Sequence, residues 1–136
     1  VSVLYWNAGE PAPRRNPATM MYSGEIEAGQ MHGRGKLQYP NREVYEGEWV
    51  YGKRHGNGKY TYQDGSSYEG EWVEDKVHGR GTCVYPSGNK YEGEWHYGRI
   101  NGRGALHYYD GDRYEGEWKD GRMHGRGVYD YANGDR

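Results

Sequence analysis

YEGEWKDGRMHGRGVYDYANGDR (Tyr114–Arg136) restates, one for one in phase, YEGEWHYGRINGRGALHYYDGDR (Tyr91–Arg113). The same pattern starts again upstream at Tyr68, at Tyr45 and, more worn, at Tyr22, which makes five units with no insertion or deletion. A fixed short period of this kind marks an array in which each unit packs on its neighbours. Within the units Gly24, Gly47, Gly70, Gly93 and Gly116 follow the tyrosine, and Glu25, Glu48, Glu71, Glu94 and Glu117 come next. Trp49, Trp72, Trp95 and Trp118 complete the motif, with Ile26 in the first unit. Further on come His32, His55, His78, Asn101 and His124, each ahead of a Gly-x-Gly, and then a second ring column, Tyr39, Tyr62, Tyr85, Tyr108 and Tyr131.

In Tyr45-Glu46-Gly47-Glu48-Trp49 a period of two places Tyr, Gly and Trp on one face and both glutamates on the other, as in a strand. The 24 glycines argue further against helix. A turn is expected across Gly52-Lys53-Arg54-His55-Gly56, after which Gly58 to Tyr62 alternates again, so each unit reads as one hairpin. Asp64-Gly65, Ser87-Gly88, Asp110-Gly111 and Asn133-Gly134 supply the positive φ for the turn into the next hairpin, with Asn41-Arg42 as the exception. The expected fold is all-β: an elongated, single-layer antiparallel meander of stacked hairpins, advancing about 9.5 Å per unit and about 45–50 Å over five. A lone hairpin cannot bury its rings, so a Trp must pack on the Tyr of a neighbouring unit, and a slip of one residue would turn the rings to water.

These columns resemble the MORN repeat, whose signature is Tyr-x-Gly-Glu-Trp followed by Gly-Lys-x-His-Gly-x-Gly. The resemblance covers 22–44, 45–67, 68–90, 91–113 and 114–136, with Ile26, Asn101 and Arg42 as departures. It implies a rod of stacked hairpins. It also implies roles that MORN proteins commonly have, in the cytoskeleton, in cilia and flagella, in division and membrane-junction assemblies, often with self-association.

Residues 1–10 read as the second strand of a partial repeat, because Val3-Leu4-Tyr5-Trp6 matches Val128-Tyr129-Asp130-Tyr131. Residues 11–21 are expected to bulge out as a Pro-rich loop, since Pro11, Pro13 and Pro17 cannot donate to a ladder. The chain has no initiating Met, and Gly134-Asp135-Arg136 stands where other units run into a Tyr, so the array is expected to continue. The last strand, at Val128, Tyr129 and Tyr131, would present unpaired backbone unless a missing repeat or a partner covers it, and is the expected edge for self-association as a homodimer.

With 33% hydrophobic residues, sixteen Tyr, five Trp and no Phe, a thick interior is not expected and the large rings carry polar handles. A net charge of −2 gives no electrostatic reason to expect nucleic acid. The lone Cys83 excludes an internal disulfide framework and fits a reducing, intracellular compartment. No run is long enough for a transmembrane helix and no signal-peptide core is present.

Histidines in successive hairpins lie about 9.5 Å apart, whereas nitrogens about 2 Å from one zinc lie within about 3–4 Å of one another. The column therefore closes no metal site within one chain, and its expected role is to bond backbone in the glycine-rich bend, the alternative being a metal shared by two chains. Cys83 occupies a ring position and is expected to be a small packed hydrophobe; His107 falls by parity on the opposite face, so no nucleophile and base meet. No catalytic set, cofactor site or phosphate loop is present in the pattern. Lys53, Lys76, Arg99 and Arg122, with Arg34, Arg80, Arg103 and Arg126, line a basic rim that is either paired with the glutamate columns or open to anionic phospholipids or an acidic partner.

Three functional classes follow. The leading one is a non-catalytic scaffold that takes a helix or extended peptide of a protein partner in an aromatic groove. That groove comprises Trp49, Trp72, Trp95 and Trp118, Tyr45, Tyr68, Tyr91 and Tyr114, and Tyr62, Tyr85 and Tyr108. The second is a peripheral membrane module using the basic rim, and the third, an enzyme, has no support in these residues.

Overall fold

The computed structural model describes residues 2–6, 10–11 and 19–134. Eleven strands form one sheet in chain order: β1 (Ser2–Tyr5), β2 (Thr19–Glu27), β3 (Gln30–Gln38), β4 (Val44–Val50), β5 (Lys53–Thr61), β6 (Ser67–Val73), β7 (Lys76–Val84), β8 (Lys90–His96), β9 (Arg99–His107), β10 (Arg113–Lys119) and β11 (Arg122–Asp130). From β2 onward every pairing is antiparallel and each repeat is one hairpin, as the alternation predicts.

The N-terminal segment differs from expectation. β1 runs parallel to β2, pairing Val3 with Met20 and Tyr5 with Tyr22, so the sheet is mixed and Ser2–Tyr5 is not the antiparallel second strand of a partial repeat expected within 1–10. The connection between them is long enough for a parallel return, which a tight hairpin turn could not make. Thr19, Met20 and Met21 belong to β2, with Met21 buried, so the expected loop at 11–21 ends earlier. The remainder of that loop, residues 12–18, lies outside the described residues.

The hairpin turn is also shorter than expected. It closes at Tyr51 and Gly52, both with positive φ (41° and 83°), which is the mirror-image turn whose twist matches the strands it joins. The chain is therefore back in the ladder by Lys53, and Arg54 and His55 are strand residues. The loops between hairpins are wider. The Gly65 N–H donates to the Tyr62 carbonyl at 3.1 Å, the Tyr62 N–H to the Ser66 carbonyl at 2.8 Å, and Gly65 takes φ 92°.

Register aligns like with like across the sheet: Gly47 opposes both Gly35 and Gly58, and Tyr45 opposes both Leu37 and Tyr60. The rings on this inner face form two buried clusters, one around Tyr22, Tyr45, Trp49, Tyr68 and Trp72 and one around Tyr91, Tyr114 and Trp118. Trp95, only partly buried, packs against both. The outer face carries the charged rows.

Candidate functional site: an inner-face cleft at Trp95

The repeated side chains are engaged in holding the sheet together. A register shift between Gly47 and Trp49 leaves Glu48 as an irregular residue. The Tyr45 hydroxyl reaches over Gly58 and donates to the Glu48 carbonyl at 2.7 Å, and a Glu48 carboxylate oxygen accepts the Asn57 N–H at 2.6 Å. The backbone groups that the irregularity withdraws from the ladder thus find side-chain partners, which a buried polar group requires. The same pair of bonds recurs from Tyr22 and Glu25 to Tyr114 and Glu117. Each indole N–H donates back to a glycine carbonyl of the preceding repeat, Trp72 to Gly58 at 3.1 Å and Trp95 to Gly81 at 3.2 Å. Each indole also meets the preceding repeat's tyrosine edge to face, as Tyr45 and Trp72 do at 5.3 Å. Pairs of this kind contribute about 0.5–1.5 kcal/mol beyond area burial.

The expected aromatic groove is accordingly much reduced. Tyr45, Tyr68, Tyr91, Tyr114, Trp49, Trp72 and Trp118 are buried and closed to a partner: each tryptophan packs edge to face on the tyrosines of its own and the preceding repeat. Burial pushes the Tyr22 and Tyr91 hydroxyls up to about 12 and raises those of Tyr45 and Tyr68 too. Of the expected ring set, Trp95, Tyr62 and Tyr85 line an open cleft of about 910 Å³, and Tyr108 is half-buried outside it.

The cleft arises from two departures within the columns. In the second repeat Tyr60 fills the inner face and its hydroxyl donates to Glu43 at 2.5 Å; in the fifth, Tyr129 donates likewise to Asp112 at 2.9 Å. In the third repeat that place belongs to Cys83, and the residue in the place of the acid is Ser66. The smaller side chain leaves room between Tyr62, Tyr85 and Trp95. The second departure concerns what lies on the indole. Arg54 sits with its guanidinium 4.8 Å from the Trp72 ring centroid and holds Asp75 at 3.1 Å, covering that ring, whereas one repeat on, at Trp95, Val77 stands in the place of Arg54 and Gly98 in the place of Asp75. Twist brings the tips at Gly98, Arg99, Asp120 and Gly121 round to face the loops carrying Tyr62, Asp64 and Pro86.

Neither Arg54–Asp75 nor the Ser66–Cys83 gap was singled out from sequence; Arg54 and Asp75 break otherwise apolar and glycine columns, whereas the Ser66 and Cys83 columns vary from repeat to repeat. Glu43 and Asp64 stand on the loop side of the cleft. The Tyr60 hydroxyl holds the Glu43 carboxyl below the usual carboxylate range, and the Ser66 hydroxyl does so for Asp64. Burial raises the Cys83 thiol, which is free and packed at the floor.

The other expected residues fall elsewhere. Register sets Arg34, Arg80 and Arg103 opposite Glu48, Glu94 and Glu117 on the outer face, while Lys53, Lys76, Arg99 and Arg122 occupy the hairpin tips. The eight basic residues therefore form two groups, one interleaved with acids. His32, His55 and His78 bond backbone as expected, but at the tip of the following hairpin: their Nδ1 atoms accept the N–H groups of Tyr51, Glu74 and Tyr97 at 3.1, 3.2 and 3.1 Å. Among the described residues no cluster of three or more His, Cys, Asp or Glu is placed to hold a metal. His107 lies beside Glu92 on the outer face, away from Cys83. β11 pairs with β10 alone among the described strands, and Val128 and Tyr131 are exposed there while Tyr129 is half-buried.

The family profile described as MORN repeat matches residues 22–44, 45–67, 68–90, 91–113 and 114–136. No individually curated protein matches the chain.

Proposed function

Because the chain belongs to the MORN repeat family, whose repeats are generally protein- or membrane-interaction modules, we propose that it is a non-catalytic scaffold that binds a protein partner in the inner-face cleft. The observation that carries this reading is the partial exposure of Trp95 in a cleft of about 910 Å³, in a column whose other indoles are all buried. Open aromatic concavities with a few polar groups at the rim are the usual form of a binding site. A cytoskeletal or ciliary setting within the cell belongs to the same proposal and is drawn from the family resemblance. Self-association would use the side of β11 that pairs with no described strand. Binding to anionic lipid is the weaker reading, because the outer-face arginines stand opposite glutamates in register.

The test is to close the cleft with a pair the chain already uses. The double variant Ser66→Asp/Cys83→Tyr rebuilds the Asp112–Tyr129 arrangement inside the third repeat. Peptides selected from a displayed random library on the unaltered chain are expected to perturb the Trp95 indole resonance and to lose binding to the folded double variant. Selected peptides that bind both chains equally would overturn the proposal.

A further inference from the structure

The cleft offers an occupant more than apolar contact. The Trp95 N–H is already committed to the Gly81 carbonyl at 3.2 Å, so what the indole presents is ring surface. The sides are Tyr62 and Tyr85 with Cys83 below. Among the described residues lining the cleft, the charges are three carboxylates, Glu43, Asp64 and Asp120, and one guanidinium, Arg99, which already stands 3.8 Å from Asp120. The tip side is therefore paired, whereas the loop side carries Glu43 and Asp64 with no cation among the lining residues to offset them.

One repeat earlier the chain displays what such a surface accepts. The Arg54 guanidinium lies 4.8 Å from the Trp72 centroid and 5.3 Å from that of Tyr60, with Asp75 3.1 Å away. A planar cation over an indole beside a carboxylate is favourable both through the ring quadrupole and through charge. At Trp95 in the fourth repeat the geometry of the ring is retained and the internal arginine is missing: Val77 stands where Arg54 stands, and Gly98 where Asp75 stands.

Resting on the interaction reading above, we infer that the partner of the cleft is a polypeptide segment that lays an arginine guanidinium on the Trp95 ring, within the field of Glu43 and Asp64, and seats a neighbouring apolar side chain over Cys83 between Tyr62 and Tyr85. The arginine takes the place that Arg54 occupies over Trp72. The apolar neighbour takes the place that Tyr60 occupies in the second repeat.

Four pools of short peptides, with Arg, Lys, Gln or Glu fixed at the centre and flanks randomised over apolar and small residues, test this on the full chain by following the Trp95 indole resonance during titration. The Arg pool is expected to bind about tenfold more tightly than the Gln pool, with Lys between them and Glu weakest. Asp64→Asn and raised salt should each narrow the gap between Arg and Gln, and Ser66→Asp/Cys83→Tyr should abolish binding of every pool. Equal binding of the Arg and Gln pools at the cleft would overturn the arginine inference while leaving the interaction reading intact. If no pool perturbs Trp95, or if the closed variant binds as well as the open chain, both fail.

Discussion

Gly58→Ala isolates the reason the motif stays in phase. Gly58 is not among the residues with positive φ, so its backbone is open to any side chain and only space is at issue. A Cβ built there falls 2.2 Å from the Tyr45 hydroxyl and 2.4 Å from Cζ, more than an ångström inside ordinary contact at about 3.5 Å. Tyr45 has nowhere to go: its exposure is 0%, and Trp49 and Trp72 stand against its ring with centroids 4.8 and 5.3 Å away. The ring must leave, at about 1–3 kcal/mol for overpacking. Its departure also breaks the 2.7 Å bond to the Glu48 carbonyl, and an orphaned buried acceptor adds about 1–3 kcal/mol. The expected loss is about 2–6 kcal/mol in urea unfolding, followed by far-UV circular dichroism and by indole fluorescence. Tyr45→Leu, which is costly alone, should be neutral or stabilising on the Gly58→Ala background, because leucine withdraws the atoms that clash; a coupling of about 2 kcal/mol is expected. A single-variant loss below about 1 kcal/mol, or strict additivity of the two changes, would refute the argument from space.

Three other outcomes follow from the same geometry. Replacing Arg54 and Asp75 together by Val and Gly, as Val77 and Gly98 stand one repeat on, should leave stability within about 1 kcal/mol, while Asp75→Gly alone leaves the guanidinium only the residue-75 carbonyl and the rings and costs about 1 kcal/mol; thermal melts of the two variants decide it. Trp95→Ala should cost about 3 kcal/mol and loosen Tyr68, whose ring centroid lies 5.3 Å from that of the indole, which amide exchange in β6 would register; unchanged protection there would count against repeat-to-repeat stacking. The buried tyrosines make the fold sensitive to alkali. Tyr22 and Tyr91 keep their protons to about pH 12 in the fold, against 10.0 when unperturbed. Across that interval the unfolded chain binds fewer protons than the native one, so stability falls as pH rises. The loss is about 1.4 kcal/mol per pH unit for each such hydroxyl. Below pH 10 this contribution is complete, and tyrosinate absorbance should appear together with loss of circular dichroism; independent titration near pH 10 with the fold intact would contradict the burial described.

The strand pairing was legible in the chain because Tyr45, Gly47 and Trp49 alternate with glutamates and because five copies in phase leave one economical way to stack them. The histidine role was legible for a different reason, since spacing rules out a metal held within one chain and made backbone the expected partner, which His32, His55 and His78 do bond. The turn at Tyr51-Gly52 was read too wide, because Lys53 to Gly56 has the composition of a loop and nothing local reveals that two left-handed residues close the hairpin first. The parallel course of β1 was hidden too, since Val3-Leu4-Tyr5 carries no sign of direction and only its pairing with β2 supplies one.

Period, face and register were thus set by the sequence itself, because side-chain alternation and a constant repeat length are local quantities that survive in one dimension. Which rings remain open to a partner was decided by the tertiary structure alone. Exposure of Trp95 depends on Val77, Cys83 and Gly98 and on the loops at Tyr62 and Tyr85, which meet only when twist carries one repeat's tips opposite another's loops.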